Sequence, residues 1–171
     1  MNNEQKQKNY DLAEKLLSEQ NFPAAVSAGA AATVLGAAAY TAIVAKWPFA
    51  HGFVTAGIGI VIGLSMQFPG RGISMKFDVA AAVYAITGCI LGNLFTVIAA
   101  LGRATGDSPI DVLRNNPLSV LAERFLYNVS FVDLIYWFIA VFSAVFSAVF
   151  LAKRPLSRSE RLAIGQLKLR S

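Results

Sequence analysis

The stretch VAAAVYAITGCILGNLFTVIAALG, residues 79–102, holds no charged side chain. At 1.5 Å per helical residue, roughly 20 residues cross the ~30 Å hydrocarbon core of a bilayer. Three further stretches of this kind lie at 22–45, 49–68 and 134–152. In hydrocarbon the backbone must satisfy its own hydrogen bonds, so each is read as a helix. The expectation is an all-α fold: an integral membrane four-helix bundle, with the transmembrane domain spanning 22–152.

Outward from these spans, the flanking segments carry their own signals. Residues 1–21 read as a cytoplasmic arm. A helix over 7–22 gathers Tyr10, Leu12, Ala13, Leu16 and Leu17 on one face, making it amphipathic. Pro23 then suits the first turn of the next helix. The outer loop 103–130 is too long for a mere connection. Ser108-Pro109-Ile110-Asp111 supplies an N-cap, a first-turn proline and an acid three residues after the cap, and Asn116-Pro117 repeats the cap and proline. Two short interfacial helices are expected there. Ser130 and Asp133 read as a capping box for the fourth span. Pro155 ends that span, and 153–171 forms a basic cytoplasmic tail. Its Lys153, Arg154, Arg158 and Arg161 suit lipid headgroups or a protein partner, each cation contributing on the order of 1 kcal/mol at an anionic surface.

The chain is 56% hydrophobic with a net charge of +5. In a soluble protein that charge would suggest nucleic acid. Here the cations flank apolar spans, so nucleic acid is not expected and topology is the first reading. Eleven Lys and Arg residues fall in the N-terminal arm, the turn at Arg71 and Lys76, and the C-terminal tail; four fall on the other side. The positive-inside rule puts both termini in the cytoplasm. The first apolar run is too long, and follows too much polar sequence, for a cleaved signal. Lys46-Trp47-Pro48 reads as a tight turn at the outer interface, and Gly70-Arg71-Gly72 as its cytoplasmic counterpart.

Within the spans, small residues are the main motif. Gly57, Gly59 and Gly63 lie in the second span, and Gly88 and Gly92 stand at GxxxG spacing in the third. In the fourth, a duplicated Phe-Ser-Ala-Val sets Ser143 and Ser147 beside a ridge of Phe142, Phe146 and Phe150. Lipid-solvated helices associate by close approach, so these positions are candidates for helix packing or for a protomer interface. Asn93 and Thr96 are polar at depth; an interhelical hydrogen bond is the plain expectation, a pore lining in an oligomer the sharper one. No ionisable residue lies at depth, where a transport pathway usually needs one. His51 is read as interfacial, and Cys89 as a packing residue. The sequence has no histidine pair, CxxC, phosphate loop or intramembrane nucleophile–base dyad. No metal or cofactor is expected, and a lipid-acting enzyme is the weakest reading.

Gly72-Ile73 followed by Lys76-Phe77, then Gly88-Cys89-Ile90-Leu91-Gly92-Asn93, and Phe131-Val132-Asp133-Leu134-Ile135-Tyr136-Trp137 form a pattern over about half the chain. It resembles a poorly characterised family of bacterial four-span inner-membrane proteins. The resemblance implies a bacterial inner-membrane location and little about activity. The functional expectation is a non-enzymatic complex subunit that self-associates as a homo-oligomer and recruits a cytoplasmic protein partner. The alternative is a small oligomeric channel or membrane-perturbing effector of a stress or defence assembly.

Overall fold

The computed structural model describes residues 3–152 and 156–168, and every regular element among them is helical. In chain order these are α1 (Asn3–Ser18), α2 (Phe22–Val44), α3 (His51–Gly70), α4 (Met75–Thr105), α5 (Pro109–Asn115), α6 (Leu118–Asn128), α7 (Phe131–Phe146) and α8 (Arg158–Lys168). A 3₁₀ turn, Pro48–Ala50, precedes α3, and a π-helical turn, Ser147–Leu151, continues α7. Four helical stretches are long and apolar enough to cross a membrane, which points to an integral membrane protein.

Local chemistry sets the boundaries. The amphipathic helix ends at Ser18, short of the expected Phe22, because the chain turns at Asn21. There the Asn21 side chain accepts from the Ala24 N–H at 3.0 Å, Pro23 occupies the first turn, and a new helix begins. α4 starts four residues before the expected span and runs to Thr105, where Gly106 adopts a left-handed φ of 80° and donates to the Gly102 carbonyl. Its 31 residues make it the longest helix in the fold. Asn116 does not cap α6 as its sequence suggests. Its side chain turns back and donates to the Val112 carbonyl of α5 at 2.9 Å, leaving Pro117 at the α6 boundary. The Ser130–Asp133 capping box forms, with the Ser130 N–H donating to Asp133 Oδ2 at 2.8 Å.

In the turn between α3 and α4, handedness and space are divided unexpectedly. The left-handed residue is Arg71, φ 46°, and neither neighbouring glycine has a positive φ. Glycine is needed at 70 and 72 for room: a Cβ at Gly70 would lie 2.6 Å from the Phe77 ring, and one at Gly72 would lie 2.5 Å from both Phe77 and Gln67 Oε1.

The bundle is built on α3 and α4, with α2 and α7 on opposite flanks of that pair. Ala25, Met66, Phe77, Ala81 and Ala148 close the core near the α3–α4 turn, and Ala85, Ala140 and Ala144 fill its middle. α5 and α6 fold back onto the far end of α4, burying Val112 and Leu121 against Ile98. α1 and α8 pack on each other through buried Ala13, Leu16 and Ala163. The two ends of the chain therefore meet at one end of the bundle. Outward, large apolar side chains stay uncovered: Leu35, Phe53, Phe138 and Phe150 are all at least 70% exposed. A belt of that size suits lipid better than water.

Small residues set the distance between α3 and α7. A Cβ on Gly59 would sit 2.3 Å from the Ala140 carbonyl oxygen, and one on Gly63 would sit 2.2 Å from that of Ala144. Backbone atoms cannot swing aside as a side chain can. Gly57, two residues before Gly59 and so on the other side of α3, meets nothing within 4 Å. Gly63→Ala is expected to force α3 off α7 and lower stability by about 1–3 kcal/mol, an overpacking cost. Gly57→Ala is expected to leave the thermal midpoint of the detergent-solubilised protein unchanged or slightly higher, because alanine favours helix.

Candidate functional site: polar groups at the two ends of the bundle

At the end distant from the termini, Tyr40 organises the interior. It lies one turn before the end of α2 and is only 9% exposed. Its hydroxyl donates to Asn93 Oδ1 of α4 at 3.4 Å and lies 3.2 Å from His51 Nδ1 at the start of α3. An amide oxygen only accepts, so the tyrosine proton goes to Asn93. The His51 ring also lies 5.9 Å from that of Tyr136 on α7. Three helices thus meet around one phenol, with Tyr136 of a fourth beside it. Sequence reading assigned His51 to the interface; it stands at the first residue of α3, and its ring contacts Tyr40.

Threonines stitch α2 to α4 below and beside this group. Thr41 Oγ1 donates to the Gly92 carbonyl at 3.2 Å, and Thr96 Oγ1 donates to that same oxygen at 2.9 Å. Gly92 also admits the Tyr40 ring, which lies 3.0 Å from where a Cβ would be. Deeper, Thr33 Oγ1 contacts the Tyr84 carbonyl at 3.4 Å, and a Cβ at Gly88 would make only ordinary contact with Ile62 and Thr33. Ser147 is fully buried and donates to the Ile60 carbonyl at 3.2 Å across the α3–α7 seam; Ser143 sits beside Gly59 on that seam.

The polar group floors a cavity of about 650 Å³ between α4, α6 and the start of α7. Tyr40, His51, Asn93, Asp133 and Tyr136 line its base, while Val97, Ala100, Leu101 and Ala104 climb one wall and Arg124 and Phe125 face them from α6. A second, narrow pocket bordered by Tyr40, Cys89, Asn93 and Trp137 has room for about one water.

At the terminal end, glutamines tie the elements together. Gln20 Oε1, in the joint between α1 and α2, accepts from the Ile73 and Ser74 N–H groups at 3.3 Å each and from the Ser74 hydroxyl. The Asn21 N–H adds a bond to the Gly70 carbonyl at 2.9 Å. Gln67, 2% exposed, donates to Asp78 Oδ1 at 3.0 Å while its Oε1 has no partner among the described residues. Lys76 Nζ lies 5.2 Å from the Phe22 ring centre and 5.5 Å from that of Phe77, a cation–π contact closing the joint. Sequence reasoning missed both glutamines, since nothing in their spacing distinguishes them from ordinary interfacial polar residues. Of the basic candidates, Arg158 and Arg161 are exposed on α8, and Lys153 and Arg154 lie outside the described residues.

The chain matches no protein-family model, and no curated protein and no solved structure is significantly similar to it. The geometry stands by itself.

Removing the Tyr40 hydroxyl leaves Asn93 Oδ1 without its donor inside the bundle. Tyr40→Phe is expected to cost about 1 kcal/mol, the scale of one interhelical hydrogen bond in a membrane protein. Thr87→Val removes only a bond to its own helix, at the Val83 carbonyl. It should leave the thermal midpoint in detergent unchanged.

Proposed function

We propose that the protein is a non-enzymatic integral membrane subunit that self-associates and holds a water-soluble protein partner at the end carrying its termini. The observation that supports this most is the α1–α8 pair. The two helices pack principally on each other rather than on the bundle, and turn charged side chains such as Glu4, Lys8, Glu14, Arg158 and Arg161 outward. Exposed Leu17 and Leu162 interrupt that polar surface and offer apolar anchors. The Lys and Arg bias of the sequence argues for a cytoplasmic position of this pair, and the family resemblance for a bacterial inner membrane.

Self-association has a surface to use. Gly59, Gly63 and Gly92 are occupied within one chain, whereas Gly57 is open and Phe142, Phe146 and Phe150 stack along the outside of α7 with ring centres 6.1 and 5.0 Å apart. A channel is the second reading, and the polar group around Asn93 favours it. That asparagine is engaged by Tyr40 inside one protomer, so a conducting path would follow the cavity rather than an oligomer axis.

The mass of the detergent-extracted assembly tests the leading reading. The expected species is larger than one 18.3 kDa chain, and a photocrosslinker at Leu162 should form one discrete adduct that a crosslinker at lipid-facing Phe53 does not. A lone monomer with no Leu162 adduct in native membranes would end it. For the channel, planar-bilayer conductance lost in Asn93→Leu is the expected signature.

A further inference from the structure

We infer that the cavity between α4, α6 and α7 is a binding site for a zwitterion bearing an ammonium and a phosphate, the chemistry of a phosphoethanolamine headgroup. The size is right. Small-molecule sites run from about 300 to 1,000 Å³, and this one measures about 650 Å³. Along α4 its wall extends from Asn93 to Ala104, a stretch of roughly 16 Å at the helical rise.

The base is rich in acceptors. Asp133 Oδ2 is held by the Ser130 N–H at 2.8 Å and the Ser130 hydroxyl at 2.7 Å, while Oδ1 has no hydrogen bond among the described residues. His51, Tyr40 and Tyr136 border the same base, and imidazole nitrogens and aromatic rings are groups that can receive an ammonium by hydrogen bonding and cation–π attraction. The opposite wall carries the complementary charge. Arg124 borders the cavity from α6, and its guanidinium has no partner among the described residues. A guanidinium fork matches a phosphate. Asp133 and Arg124 bring opposite charges to one cavity without pairing with each other, which favours a ligand that carries both.

Chains attached to such a headgroup have a way out. α6 packs on α4 rather than on α7. Val97, Ala100, Leu101 and Ala104 line the side of the cavity formed by α4. The base also lies level with the Trp47 turn, where the apolar spans α2, α3 and α7 end or begin. That is headgroup depth in a bilayer.

Native mass spectrometry of the full-length detergent-solubilised protein tests the site. The probes are dioleoyl phosphatidylethanolamine, dioleoyl phosphatidylglycerol and free phosphoethanolamine, each titrated separately. The wild type is expected to retain phosphatidylethanolamine about tenfold more tightly than phosphatidylglycerol. Asp133→Asn keeps an acceptor for the α7 cap while removing the charge, and should abolish that preference. Ala100→Phe fills the cavity without touching its polar groups, and should weaken phosphatidylethanolamine at least fivefold with the thermal midpoint unchanged. Free phosphoethanolamine binding as tightly as the lipid would support the same chemistry with a soluble source, and its failure to bind would make the source a membrane lipid. Equal retention of the two lipids by the wild type, or a preference that survives Asp133→Asn, would overturn the inference.

Discussion

The approach of α3 to α7 at Gly59 and Gly63 is the contact on which the rest of the bundle depends. In lipid the hydrophobic effect gives helices little reason to associate, and dispersion between closely placed backbones must supply the attraction. Hydrogens at two positions four residues apart let α3 settle onto the Ala140 and Ala144 carbonyls. Ser147 Oγ can then reach the Ile60 carbonyl at 3.2 Å, sharing its proton with the Ala144 carbonyl of its own helix at 3.0 Å. With α7 held on one flank and α2 on the other, the α3–α4 pair becomes the centre, and Tyr40, His51, Asn93 and Tyr136 converge.

That convergence separates two uses of polarity. Threonines along the α2–α4 seam spend their hydroxyls on carbonyls of their own or the adjacent helix, so they consolidate packing and leave nothing over. The group at the far end differs. A carboxylate oxygen, an imidazole nitrogen and a guanidinium keep unspent hydrogen-bonding capacity, and they border open space rather than one another. Charge and capacity left unspent beside a cavity distinguish a recognition surface from a structural network.

How much of this could be read from the chain alone varies with the range of the interaction. The long uncharged stretches at 22–45 and 79–102 identified helices because the thickness of a bilayer is a length, and length is written directly in sequence. The Ser130–Asp133 box was legible because its partners are three residues apart. Asn116 misled for a related reason: a capping residue can serve the helix behind it as readily as the one ahead, and only the fold chooses. His51 and Gln20 were opaque. Their partners, Asn93 through Tyr40 and Ser74, lie far off in sequence, and no periodicity encodes which residue a distant helix will bring. Glycine was legible as a packing residue, yet its partner was not. Only geometry separates Gly63, closed against α7, from Gly57, which opens outward.

The glutamine in the elbow between α1 and α2 has a mechanical side. One carbonyl oxygen of Gln20 gathers the leading edge of α4, and the adjacent Asn21 amide grips the last carbonyl of α3. The joint after the amphipathic arm is therefore not a slack linker: a displacement of the arm would be carried to the start of α4, whose other end forms a wall of the cavity.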